Sequence, residues 1–145
     1  MNKYSILIPI HNEAHTIKTL LESLKPYNHS GHEIIVVDDG STDGSTKILE
    51  ETQIIRLIKL KTNYGKGYAI QSGLRYVSNQ MVVIFDGDME LNPKEIEKLM
   101  LLDKTNNIRT VLGTRFQTIA PLKSGLDWGN FMFTCFFNII FNSQH

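Results

Sequence analysis

The stretch VVIFDGDMELNP, residues 82–93, decides how this chain is read. The apolar run 82–85 leads straight into three acids, Asp86, Asp88 and Glu90. With Met81 the run MVVIF has the length and composition of a buried strand, and strands of that kind belong to parallel sheets covered on both faces. In open parallel sheets, ligands bind beyond the carboxyl ends of the strands. A strand that ends in acids therefore places negative charge where a ligand would sit.

Working outward, strand and helix patterns alternate. YSILIPI (4–10) reads as a strand, and EAHTIKTLLESLK (13–25) as a helix with Ile17, Leu20, Leu21 and Leu24 on one face. EIIVVDD (33–39) is a β-branched run, followed by a Gly/Ser/Thr/Asp loop and a helix near 44–52. IIRLIKL (54–60) is a third strand, and GKGYAIQSGLRYV (65–77) a helix with Ile70, Leu74 and Val77 on one side. After MVVIF, Asn92 can cap a helix with Pro93 at its first position and Glu95 at its third. IRTVLGT (108–114) is a fifth strand. Such alternation predicts an α/β fold with a mostly parallel, doubly wound sheet and helices on both faces.

The bulk numbers exclude several classes. The 145 residues suit one domain with a sizeable core; 41% are apolar and 21% charged, as in ordinary globular proteins. Fifteen acids balance fifteen bases, so no nucleic-acid partner is expected. One cysteine, Cys135, allows no internal disulfide, and the expected location is the cytoplasm, peripheral to a membrane at most. No run reaches the roughly 18 apolar residues of a membrane span, and the N-terminus does not read as a signal peptide.

Three loops carry polar residues at the predicted ligand edge: PIHNE after the first strand, DDGSTDGS after the second and DGDME after the fourth. Clustered carboxylates raise one another's pKa unless something positive sits among them. A divalent cation is the economical solution, and carboxylate oxygens suit Mg²⁺ or Mn²⁺. Gly87, between Asp86 and Asp88, leaves room for a tight turn and a close ligand. Any single acid could instead cap a helix or solvate a loop. Asp39, Ser41, Asp43, Gly44 and Glu50 also fit a calcium-loop spacing, but that motif needs a helix before the loop, and EIIVV is a strand. GKG at 65–67 lacks the first glycine and the Ser/Thr of a phosphate-binding P-loop.

Together, ILIPIHNE, EIIVVDDGSTDGS, NYGKGYAIQSGL, VVIFDGDMELNP and LGTRF occur in an order that resembles the GT-A glycosyltransferases of family 2. Within that family the chain looks like the dolichyl- or polyprenyl-phosphate sugar synthases. The resemblance implies a nucleotide-sugar (donor) core over 1–120, and an apolar helix over 121–145 that begins an acceptor region. It implies an inverting transfer from a GDP- or UDP-sugar to a lipid phosphate. Alternatives are a saccharide hydroxyl as acceptor, or a nucleotide-sugar-binding module without turnover.

The resemblance also assigns roles. Pro9, His11 and Glu13 would line the nucleoside pocket, with His11 where the family commonly has Tyr. Val37 and Asp39 would hold base and ribose, with Asp38 beside them. Asp86, Gly87 and Asp88 would form the DxD element at the diphosphate, the two acids being catalytic. Asp88 and Glu90 would bind the metal, the synthases commonly having Gln at the latter position. Lys66 is either a donor ligand or a solvated loop lysine, and Arg115 either reaches the sugar-phosphate or serves as an ion-pair partner.

From Leu126 to Phe141 nearly every residue is apolar, with a polar stripe at Asp127, Asn130, Thr134 and Asn138. At 1.5 Å per residue this makes a helix about 24 Å long. It either packs on the core or meets a membrane surface or a second copy. The family's acceptor-side motifs would follow this helix, and the chain reads as a donor-binding half that stops before them.

Overall fold

The computed structural model describes residues 2–100. The expectations for the strand at 108–114, for Arg115 and for the helix at 126–141 lie outside the described residues. Four parallel strands form one sheet in the order β3-β2-β1-β4. They are β1 (Tyr4–Ile10), β2 (Glu33–Asp38), β3 (Arg56–Lys59) and β4 (Met81–Ile84). The helices are α1 (Ile17–His29), α2 (Ser45–Glu50), α3 (Lys66–Leu74) and α4 (Ile96–Leu99), the last preceded by a 3-10 turn at Pro93–Glu95.

β1 is the axis of the sheet. All seven of its residues are buried, because it is covered on both faces and paired on both edges, with β2 and with β4. One face packs Ile6, Ile8 and Ile10 of β1 with Ile34 and Val36 of β2 against Ile17, Leu20, Leu21, Leu24 and Tyr27 of α1. The other packs Leu7, Ile35 and Val37 against Ala69 of α3. Each fully buried Leu or Ile contributes about 1.5–3 kcal/mol, so the two layers carry most of the fold's stability. Among the described residues, no helix is long and apolar enough to cross a membrane.

Several elements differ from their sequence-based bounds. α1 starts at Ile17 rather than Glu13, and the N–H groups of Glu13 and Ala14 donate to Ser45 Oγ and Asp43 Oδ2. It also runs through Pro26 to His29. Tertiary bonds hold that last turn: the Tyr27 hydroxyl donates to the Pro93 carbonyl (2.9 Å) and the Asn28 amide to that of Ile54 (3.1 Å). Asn92 caps as expected, accepting from the Lys94 N–H at 3.0 Å, but Glu95 pairs outward with Lys98 rather than closing a capping box.

Of the face expected on the third helix segment, Ile70 and Val77 pack against the core cluster of Leu7, Ile35, Val37 and Ala69, but Leu74 does not. Leu74 is 42% exposed, while Ala69 and Gly73 are buried. A Cβ on Gly73 would lie 2.3 Å from Leu7 Cδ1 and 2.7 Å from Val37 Cγ2. The helix therefore rides directly on β1 and β2 at its smallest residue. We expect Gly73→Val to lower stability in urea by about 1–3 kcal/mol through overpacking. Leu74→Ala should stay within about 0.5 kcal/mol of the parent, as for an exposed position.

Candidate functional site

β1 and β4 part company at the ligand edge. Leu7 pairs with Ile84, and its carbonyl accepts the Phe85 N–H at 3.0 Å. Ile10 is turned the other way, its carbonyl accepting the Asp39 N–H at 2.9 Å. Odd positions of β1 thus face β4, so Pro9, which has no N–H to donate, falls where the ladder to β4 has ended. This is also where the strand order reverses, the place where open α/β sheets form their crevice.

A cleft of about 280 Å³ opens there. Pro9, Ile10, His11 and Glu13 come from the end of β1, Asp39 from β2, and Asp86, Gly87 and Asp88 from β4. Asn63, Gly65, Lys66 and Ala69 come from the β3–α3 turn. Eight of the sequence-predicted residues therefore meet at one opening. Val37 and Asp38 do not line it: Val37 packs beneath α3, and Asp38 is 2% exposed. Glu90 is exposed and also lies off the cleft wall. Asn63 and Gly65 add a fourth loop to the three expected from sequence, since NYGKG sits at the carboxyl end of β3.

The acids are compensated from within the chain. Asp38 accepts from the Ser41 N–H (2.9 Å) and the Thr46 hydroxyl. Asp39, 3% exposed, accepts the Tyr64 N–H on Oδ1 (2.8 Å) and the Gly65 N–H on Oδ2 (2.7 Å). Asp86 Oδ1 lies 2.5 Å from the ammonium of Lys66, whose side chain is 59% exposed. Asp88 commits Oδ1 to the Glu90 N–H at 3.0 Å, a local turn that helps hold Met89 at φ 60°. Gly87 is required by the protein itself. A Cβ there would stand 2.4 Å from Ile10 Cγ2, so β1 rather than a ligand fills that space.

Among the described residues, no three of His, Cys, Asp and Glu gather around one point that could hold a metal ion. A Mg²⁺-type ion needs no such cage, since it takes one or two carboxylates and completes its shell with phosphate oxygens and water. Asp86 and Asp88, on either side of Gly87, supply that number.

The wall formed by residues 11–14 is zipped to the loop after β2. Asn12 N–H donates to Ser41 Oγ (2.9 Å), Thr42 N–H to Asn12 Oδ1 (2.8 Å), Glu13 N–H to Ser45 Oγ (2.9 Å) and Ala14 N–H to Asp43 Oδ2 (2.9 Å). With Asn12 Oδ1 so engaged, its amide N–H donates to His11 Nε2 (3.0 Å), and His11 Nδ1–H donates to the Asp39 carbonyl (2.8 Å). The imidazole is thereby held as its neutral Nδ1–H tautomer. Asp43, the residue of the calcium-loop spacing, is a fastener, bonded also to the Ser45 N–H and hydroxyl. Desolvation alone would raise its pKa, but these bonds outweigh it and hold the carboxyl at about 2 against 3.8.

Because the unfolded chain binds that proton more readily, Asp43 stabilises the fold above about pH 4. Its contribution should fade as pH falls towards about 2. Urea melts of wild type and Asp43→Ala across pH 2–7 should differ most at neutral pH and converge at the acid end.

The profile described as "Glycosyl transferase family 2" matches residues 5–125. The undecaprenyl-phosphate 4-deoxy-4-formamido-L-arabinose transferase of Proteus mirabilis is 36% identical over 124 residues, which are 79% of this chain and 37% of that protein. The chain spans about a third of the length of the curated relatives it matches. Among solved structures, the mannosyltransferase PcManGT from Pyrobaculum calidifontis, in complex with GDP-Man and Mn²⁺, superposes with a TM-score of 0.53 at 29% identity. The match covers 59% of this chain and 27% of that one. TarS residues 1–349 from S. aureus, in complex with UDP, gives 0.54 at 29% identity over the same shares. The fold is GT-A, and the chain belongs to glycosyl transferase family 2.

Proposed function

We propose that this chain forms the donor site of a metal-dependent, inverting glycosyltransferase that moves a sugar from a UDP- or GDP-sugar to a polyprenyl phosphate. The observation that carries this reading is the single cleft in which Asp39, Lys66, Asp86 and Asp88 meet at the sheet's carboxyl edge. The Proteus mirabilis relative, named for undecaprenyl phosphate, supports the acceptor class. The PcManGT and TarS complexes support the donor class and, in PcManGT, the cation.

In this reading residues 1–120 are the donor core and 121–145 begin the acceptor region, where the apolar stretch 126–141 would meet a membrane surface or a second copy. Pro9, His11, Glu13 and Asp39 hold the nucleoside. Val37 and Asp38, both buried, act through the backbone and loop they support. Asp86 and Asp88 face the diphosphate across Gly87; Arg115, outside the described residues, would contact the sugar-phosphate as the family resemblance implies. A bound Mg²⁺ or Mn²⁺, held by Asp88 with Glu90 or Asp86, would stabilise charge on the departing diphosphate. Lys66 is 59% exposed, so its pair with Asp86 contributes under about 1 kcal/mol and yields readily to a diphosphate. A phosphate acceptor is already anionic and needs no general base; a hydroxyl acceptor would need one.

Transfer of radiolabelled sugar to polyprenyl phosphate by the purified chain is the direct test. Donor binding without transfer would instead mark a nucleotide-sugar-binding module. For the metal, Asp88→Ala should lose most of its nucleotide-diphosphate affinity in Mn²⁺ and change little in EDTA. Equal wild-type affinity in both buffers, measured by calorimetry, would remove the bridging cation.

A further inference from the structure

A second cluster lies at the opposite edge of the sheet, at the amino ends of β1 and β2, and uses no residue of the cleft. The ladder between the two strands begins at Ser5–Glu33, one step after Tyr4. The Tyr4 N–H donates instead to a side chain, His32 Nδ1, at 3.2 Å. A backbone N–H can only donate, so Nδ1 accepts and the imidazole is its neutral Nε2–H tautomer. The half-buried ring also packs edge-on against Tyr4 (centroids 5.9 Å apart) and beside Tyr27 of α1 (6.5 Å). These two tyrosines tie down residues 93–100. The Tyr27 hydroxyl donates to the Pro93 carbonyl at the start of that segment, and the Tyr4 hydroxyl to the Met100 carbonyl at its end (3.0 Å). The segment continues from the loop that carries Asp86, Asp88 and Glu90.

A proton on Nδ1 would set two N–H groups against each other. Among the described residues, the charged groups around the ring do not favour that proton. Lys3, just ahead of β1, brings a second positive charge, its ammonium resting on the Ser30 carbonyl. Glu33, the next residue, has its carboxylate engaged by the Ser5 hydroxyl and the Ser78 N–H. Burial, and after it Glu97 of α4, raises the pKa of the Tyr27 hydroxyl, which stays a donor. We propose that His32 is a proton-operated latch: neutral, it fastens the start of β1 to the tyrosine pair that ties down residues 93–100, and protonated, it lets go. Burial, and after it Lys3, lowers the pKa of the imidazole from its ordinary 6.5. The opened state therefore takes up the proton more readily. The latch is fully closed above pH 6.5 and weakens as pH falls below it.

The test is hydrogen exchange read by mass spectrometry on the full chain, as wild type, His32→Asn and His32→Phe, corrected for the intrinsic exchange rate. Asn keeps an acceptor near the Nδ1 position without titrating, and Phe keeps a ring without an acceptor. From about pH 7.5 to about pH 5.5 the opening equilibrium of residues 93–100 should rise by up to about 10-fold in wild type. It should stay flat in His32→Asn, and in His32→Phe it should be raised at both pH values. A second measurement needs no variant: the His32 Cε1–H resonance of wild type, identified by its contacts to the two tyrosine rings, should titrate below 6.5. Titration at or above that value would overturn the latch. So would the same pH response in wild type and His32→Asn. A wild-type response spread evenly over β1 and β2, with no excess at 93–100, would also overturn it, by showing that His32 bears on the whole fold rather than on that segment.

Discussion

β1 loses its partner on one side three residues before it ends, and the site depends on that loss. Up to Leu7 the strand is bonded to β4; at Pro9 there is no N–H left to bond. On its other edge β1 stays paired with β2 through Ile10. The sheet therefore opens on one side of a strand that is buried along its whole length. A buried strand is a rigid platform, and the residues just past its end inherit that rigidity. Gly87 completes the opening, since only a residue without Cβ lets the turn after β4 lie against Ile10.

The walls are held by hydrogen bonds to acids more than by apolar packing. Asp38, Asp39 and Asp43 each bind backbone N–H groups from their own or neighbouring loops. A charge-assisted bond to a carboxylate is stronger than a neutral one, and a buried carboxylate without such partners would be costly. These acids thus stiffen the loops and leave less free charge at the ligand edge. Asp86 has a cation across from it, and that cation is mounted on an exposed lysine, Lys66. The site combines an end fixed by hydrogen bonds to Asp39 with an adaptable ionic end at Lys66 and Asp86.

Family membership and site geometry support each other at different levels. The family match covers residues 5–125 and establishes the family. The cleft separates the motif residues that line the opening from those that lie beneath it. Val37 and Asp38 illustrate the difference, since both belong to the motif and neither lines the cleft.

By itself the sequence determined the alternation of strands and helices, the parallel sheet and the gathering of acids at its carboxyl edge. These follow from local patterns: β-branched runs of strand length, apolar residues at helical spacing, and acids at strand ends. Tertiary structure decided what depends on neighbours distant in sequence. Pro26 stays inside α1 because Tyr27 and Asn28 bond to residues far along the chain. α3 presents Gly73 rather than Leu74 to the sheet, because Leu7 and Val37 leave no room for a side chain. Asp43 is a fastener rather than a calcium ligand, because the loop after β1 offers it N–H groups. Lys66 meets Asp86 across twenty residues of sequence that the sheet folds into 2.5 Å. No periodicity or spacing encodes such contacts, since each is set by the position of a whole strand or helix relative to another.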